Sequence, residues 1–128
     1  MLEAGYDSAL YYAEESAAIM RGTIGENNIQ YCNMLRNLAY SHYYLGNYKK
    51  AKYFIIKESG LLESLKKTDG PGYVNCLQAA SLICRRLGEY EEALTQIRKA
   101  DKKAMDLYKT DSPEYAEILY NYAGVYHD

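Results

Sequence analysis

His42, Cys84 and Tyr126 stand at equal intervals along the chain. Such a trio could ligate a metal, but zinc takes about four nitrogen or sulfur ligands. Neither a second histidine nor a pair of carboxylates shares the spacing. The regular interval suits a packing position, where an unliganded cysteine is commonly buried. Cys76 and Cys84, eight positions apart on one helix, are separated by about 12 Å of rise, too far for a mutual disulfide. With Cys32 they make three cysteines, an odd number without a Cys-x-x-Cys pair, so a reducing, cytoplasmic setting is expected. Gly70, Pro71 and Gly72 lack the lysine and preceding strand of a phosphate loop and read as a turn. No nucleophile elbow, zinc-protease helix or calcium loop occurs. These residues therefore predict no catalytic site, no metal and no cofactor.

Charge and composition narrow the partners. The chain carries 15 basic and 17 acidic side chains, a net charge of −2, too balanced to coat phosphates or to anchor on an anionic membrane. Nucleic acid and membrane are not expected as partners. No apolar stretch approaches the length of a membrane span, about 18 or more. The N-terminal segment holds Glu3, Asp7, Glu14 and Glu15 before its first basic residue, Arg21, which argues against a secretory signal. Among the aromatic residues, 16 are tyrosine, one is Phe54 and none is tryptophan. A tyrosine buries its ring while its hydroxyl stays at a boundary, so this bias suits half-exposed helix surfaces and grooves.

The elements that position these residues repeat. Leu45–Ala51 (LGNYKKA) returns as Leu87–Ala93 (LGEYEEA), and residues 31–72 match 73–114 at 14 of 42 positions. Tyr31, Tyr73 and Tyr115 share one register, as do Leu35, Leu77 and Leu119, and Tyr6, Tyr48 and Tyr90. Lys67, Thr68 and Asp69 recur as Lys109, Thr110 and Asp111. The period divides the chain into a partial unit 1–30, full units 31–72 and 73–114, and a partial unit 115–128. Spacings of three and four mark two helical stripes in a unit. The first is Tyr31, Leu35, Leu38, Ala39, His42 and Leu45, ending at Gly46. The second is Ala51, Phe54, Ile55, Leu61, Leu62 and Leu65, on a helix of about 20 residues. Ser112 followed by Pro113 reads as an N-cap and first helical residue. The chain is thus expected to be all-α, with six helices in the order B, A, B, A, B, A. Turns fall near Gly5, Gly46 and Gly88, and connections near Asn27, Gly70 and Asp111.

The LGxYxxA core, with L-x-x-L-A before it and an apolar residue four further on, resembles the tetratricopeptide repeat. The 42-residue unit is similar to the kinesin-light-chain-like variety. This resemblance implies an α-solenoid of antiparallel helix pairs wound as a right-handed superhelix. Glu58 departs from the family pattern, standing where Ala100 supplies the usual small residue, and Ala4-Gly5 replaces Leu-Gly. The family's concave groove is lined by A-helix residues that face away from helix B. Register carries that role to Asn33, Arg36, Asn37, Tyr40, Tyr43 and Tyr44, to Asn75, Gln78, Leu82, Arg85 and Arg86, and to Glu117, Tyr120 and Asn121. Asn37 and Asn121 match an asparagine that engages bound peptide in the family, whereas Ala79 interrupts the ladder. The carboxylate clamp of chaperone-binding tetratricopeptide domains is not reproduced, since Tyr40 takes its asparagine position.

Amides can pair with an extended backbone, arginines can hold a carboxylate, and tyrosines supply rigid contact area. Tyr40, Tyr43, Tyr44 and Tyr120 do not recur as tyrosine, so they are expected at a surface, while the recurring tyrosines are expected to pack between helices. The expected function is a non-enzymatic module that binds an extended peptide or protein segment. The alternative is a sensory or regulatory segment of a larger signalling protein, a histidine kinase or transcription regulator. Ile118, Leu119, Tyr122, Val125 and Tyr126 form a final apolar stripe with no helix B after it, so self-association through a terminal helix, or fraying beyond about Tyr120, is expected.

Overall fold

A computed structural model describes the backbone of residues 2–108 and 111–127 and the side chains of 7–108 and 111–124. Within them lie six helices, α1 (Leu2–Thr23), α2 (Ile29–Tyr44), α3 (Tyr48–Ser64), α4 (Pro71–Arg86), α5 (Tyr90–Leu107) and α6 (Pro113–His127). No strand occurs among the described residues. The chain divides into two compact units, 1–66 with α1, α2 and α3, and 67–128 with α4, α5 and α6.

The helix ends are set by local chemistry. Asn28 opens α2, its side-chain oxygen accepting from the Tyr31 N–H at 2.9 Å. Ser112 does the same for α6, accepting from the Tyr115 N–H at 3.2 Å, and Pro113 begins that helix. Both α2 and α4 stop at a glycine with positive φ, 84° at Gly46 and 76° at Gly88. In each turn the residue after the glycine donates back across five positions, Asn47 to the His42 carbonyl at 2.8 Å and Glu89 to the Cys84 carbonyl at 2.9 Å. This glycine-ended cap satisfies carbonyls that the helix leaves unpaired and reverses the chain. The two turns, one repeat period apart, have the same construction.

Gly5 behaves differently from the expectation. It lies inside α1, which runs unbroken from Leu2 to Thr23. Without a leucine before it, Gly5 has only the modest cost of an interior glycine, about 1 kcal/mol, and the helix continues through it. The B-type helices α3 and α5 are also slightly shorter than expected, with 17 and 18 residues.

In the first unit α2 lies between α1 and α3. Ala13 and Ala17 of α1 pack on Tyr31, Leu35 and Leu38, with Leu10, Met20, Met34, Phe54 and Leu61 around them. Across the α2–α3 pair, Ala39, Ala51, Ile55 and Leu62 are buried. The large apolar side chains contribute about 1.5–3 kcal/mol each when fully buried, far more than helix propensity does. His42 stacks nearly parallel on Phe54, ring centroids 5.5 Å apart, so that position does pack an A-type helix on its B-type partner. Tyr126, in the same register, lies outside the described side chains. Glu58 is fully buried yet charged, and Arg36 reaches it from α2, donating through Nε at 3.1 Å and Nη2 at 2.8 Å.

In the second unit α4 packs on α5 and α6 packs on both. The Ser81 hydroxyl donates to the Ala93 carbonyl at 2.8 Å, a contact that only small side chains permit. Where the first unit has Arg36 and Glu58, the second has Gln78 and a buried Ala100. Tyr31, Tyr73 and Tyr115 are all buried, as expected of packing positions. Tyr90 is not, being 47% exposed: its register places it at the first residue of α5, outside the pair's buried stripe. Tyr48 is half-buried, its ring 5.4 Å from that of Tyr43, while the Tyr6 side chain lies outside the description.

A Cβ at Gly46 would meet nothing within 4 Å, so Gly46→Ala should cost only the left-handed backbone penalty, about 1–2 kcal/mol in denaturant unfolding. Lys66, a non-glycine residue with positive φ (58°), should show the opposite sign: Lys66→Gly gains less than about 1 kcal/mol, because glycine also loosens the unfolded chain.

For the buried pair, Arg36→Met alone should destabilise by about 3–5 kcal/mol, whereas Arg36→Gln with Glu58→Ala, the second unit's own combination, should be close to neutral. Thermal and urea unfolding of both variants provide the check.

Burial, helped by Lys50, holds the His42 imidazole below its ordinary value of 6.5, with Glu14 opposing. The unfolded chain therefore takes up a proton that the folded chain resists, so the contribution of His42 is complete above pH 6.5 and is lost as pH falls below it. His42→Phe should flatten that part of the stability profile between about pH 7 and 5, read by urea titration at each pH.

Candidate protein-binding surface

Exposed residues of α2 project beside α1. Asn37, Tyr40 and Tyr44 line a cleft of about 390 Å³ whose other wall is Ala9, Tyr12, Ala13 and Ser16 of α1, with Met34 and Ser41 at the base. Tyr40 and Tyr44 are exposed, as is Asn37. Spacing of three and four places these three on one face. Asn33 is also exposed on α2 but does not line the cleft. Tyr43 turns toward the chain reversal, half-buried with ring centroids 5.2 Å from Tyr44 and 5.4 Å from Tyr48. It is a turn-packing residue as much as a surface one.

Arg36 departs most from its expected role. Register assigns its guanidinium to a ligand carboxylate, and it instead holds the carboxylate of Glu58. The partner sits on α3, so a comparison confined to A-type helices does not reveal it. The signal is nonetheless present in the sequence, because Glu58 interrupts an apolar stripe where Ala100 stands one period later. A buried carboxylate at such a position needs a cation, and Arg36 is in reach.

In the second unit, Gln78, Leu82, Arg85 and Asn121 come together around a shallow depression with Ser81 at its base. Asn121 donates from Nδ2 to Gln78 Oε1 at 2.9 Å, so adjacent A-type helices are joined here by an amide pair. Arg85 lies against Gly124, where a Cβ would come within 2.6 Å of its Nη1. Asn75 and Arg86 are exposed on α4, and Glu117 and Tyr120 on α6, outside this depression. Ala79 is buried, so the asparagine register is occupied by a packing residue there.

Two features lie beyond the sequence expectation. The α1 wall of the cleft belongs to a B-type helix and so falls outside the A-type register, although Ala9, Tyr12, Ala13 and Ser16 have plain helical spacing. A second concavity of about 290 Å³ is lined by Tyr73, Lys99, Lys102, Lys103 and Asp106, with Lys103 Nζ 3.3 Å from Asp69 Oδ1. Among the described residues no cluster of three or more His, Cys, Asp or Glu is arranged to hold a metal. Cys32, Cys76 and Cys84 are buried and form no disulfide, and burial, with the Glu58 charge, pushes the Cys32 thiol up to about 11, which keeps it protonated and unreactive at neutral pH. No helix among the described residues is long and apolar enough to cross a membrane.

No protein-family model and no curated protein matches the sequence. Solved structures do match. The crystal structure of BtubC (BKLC) from P. vanneervenii is similar over 97% of this chain and 50% of its own, with a TM-score of 0.88 at 13% identity. The Podosopora anserina putative kinesin light chain described as having nearly identical TPR-like repeats is similar over 94% of this chain and 57% of its own, with the same score and identity. The chain thus spans about half the length of the structures it matches. Six helices among the described residues, with α2–α3 and α4–α5 joined by glycine-ended turns, give this chain the all-α solenoid fold of the TPR-like repeats in these proteins.

Proposed function

We propose that the chain is a non-enzymatic protein-interaction module whose A-type helices present the recognition surface for an extended peptide or protein segment. The observation that supports this most directly is the convergence of Asn37, Tyr40 and Tyr44 on one cleft. Tyr40 and Tyr44 have no tyrosine in the same register elsewhere and are not needed by the core. Exposed tyrosine rings beside an amide supply rigid contact area and backbone-pairing groups together. Asn121 and Gln78 offer the same amide chemistry in the second unit. Since Arg36 is committed to Glu58, no carboxylate preference is assigned from it. Three buried cysteines outside any disulfide favour a reducing, cytoplasmic setting.

The test uses the whole 128-residue chain as bait for a displayed random peptide library, followed by titration of the enriched peptides. Asn37→Ala with Tyr40→Ala should weaken them about tenfold or more, since truncating interface anchors costs at least about 1–2 kcal/mol. Helical content should stay at the wild-type level. Lys49→Ala with Lys50→Ala, at exposed positions on α3, should leave affinity unchanged. Loss in the lysine variant together with full binding by the Asn37/Tyr40 variant would place recognition on the opposite face.

A further inference from the structure

In the first unit a carboxylate, a lysine and a tyrosine meet at the start of α2. Glu26, two residues before the N-cap Asn28, accepts from the Tyr31 hydroxyl at 3.4 Å and stands 3.9 Å from Lys57 Nζ. Lys57 also lies over the Tyr31 ring, 5.9 Å from its centroid. The non-helical connection between α1 and α2 thus brings a carboxylate to a lysine of the B-type helix, beside the first turn of α2.

One period on, the frame recurs without its carboxylate. Gly70 is the N-cap of α4, Tyr73 takes the register of Tyr31, and Lys99 of α5 takes that of Lys57, but the register of Glu26 holds Thr68. Where α3 has Gly60 and Leu61, α5 has Lys102 and Lys103. Spacing of three and four puts Lys99, Lys102, Lys103 and Asp106 on one face of α5, and with Tyr73 they line the concavity of about 290 Å³. All of them belong to the second unit, between α3 and α6 in chain order. Lys103 is matched by Asp69 at 3.3 Å. Lys99 and Lys102 are exposed, and among the described residues neither forms an ion pair.

We propose that this concavity of the second unit receives an acidic side chain of a partner protein, at the place that the chain's own Glu26 fills in the first. Charge selects the ligand. Three lysines against Asp69 and Asp106 leave one positive charge in excess, which a single carboxylate balances and a phosphate group, with a charge of about −1.5 to −2, overfills. Because Glu26 is carried on a non-helical connection, the matching ligand is a glutamate on an exposed loop or extended segment. Exposed lysine–carboxylate pairs contribute little singly, so the site adds a preference for an acidic residue to contacts made elsewhere. The inference rests on the reading of the chain as a protein-interaction module, but it uses a surface separate from the tyrosine cleft.

The probe is a blocked pentapeptide with the sequence of residues 24–28, Ile-Gly-Glu-Asn-Asn. It is titrated to about 20 mM into the isotopically labelled whole chain and followed by amide chemical shifts, since a few exposed pairs give affinity of millimolar order. Shifts should concentrate at Tyr73 and residues 99–106, and the same peptide with glutamine in place of glutamate should produce none there. Lys99→Gln with Lys102→Gln should weaken binding at least about threefold. Both positions are exposed, so circular dichroism should show unchanged helix. Thr68→Glu supplies the missing carboxylate from within the chain and should block the site to a similar degree. Asn37→Ala with Tyr40→Ala should leave it intact, so that failure of the tyrosine cleft and failure of this site are read separately. Absence of shifts in the second unit, an equal response to the glutamine peptide, undiminished binding by the lysine variant or by Thr68→Glu, or tighter binding of inorganic phosphate than of the peptide at these residues would each overturn the proposal.

Discussion

Close approach of paired helices at small side chains is the constraint on which the rest of this structure depends. Ala39 and Ala51 in one pair, and Ser81 and Ala93 in the other, are buried at the contact, and the Ser81 hydroxyl reaches the Ala93 carbonyl directly. Approach at this distance lets Leu35, Ile55, Leu77 and Ile97 leave solvent almost completely. A larger side chain in the seam would separate the helices and expose those residues. The glycine-ended turns at Gly46 and Gly88 bring the partners together with the register that sets small residues against each other. Once the seam closes, each A-type helix is left with one face turned outward, and packing does not dictate the asparagines and tyrosines on that face.

Much of this is legible in the sequence because it is periodic. Tyr31, Tyr73 and Tyr115 recur and are buried; Gly46 and Gly88 recur and carry the left-handed backbone; Ser112 and Pro113 start α6 as their types predict. What escapes is aperiodic. Gly5 looks like a turn glycine, but without the flanking leucine it lies inside a helix. Tyr90 recurs and yet stays exposed, since its register lies just outside the pair's buried stripe. Arg36 belongs by spacing to the outward face, but a flexible side chain follows charge as well as direction, and Glu58 draws it across to α3. The α1 side of the cleft is illegible for a different reason: its residues are ordinary, and only the helix beside them makes them a wall.

The two units close the same seam position in different ways. In one, a guanidinium bridges to a buried carboxylate; in the other, alanine fills the space and Gln78 turns its amide to Asn121. The charged version gains geometric specificity, since Arg36 grips a single oxygen of Glu58 through two donors, but it removes a carboxylate from water. The neutral version avoids that desolvation and leaves its polar group for the neighbouring A-type helix. Outer face and core thus compete at one register, and the outcome decides whether that residue turns to its own pair or to the neighbouring A-type helix.

This pairing also makes drift between the two solutions directional. Glu58 is sealed from solvent, while the Arg36 side chain keeps 23% of its surface exposed. Losing the glutamate first leaves a cation that can swing into water; losing the arginine first strands an anion in the core. Stepwise substitution in this chain therefore costs less when position 58 changes first than when position 36 does, and the reverse replacement costs less when the arginine is introduced before the glutamate. Change at the two sites is thus ordered as well as coupled, and the side chain at position 36 is released from the core only after the carboxylate at position 58 is gone.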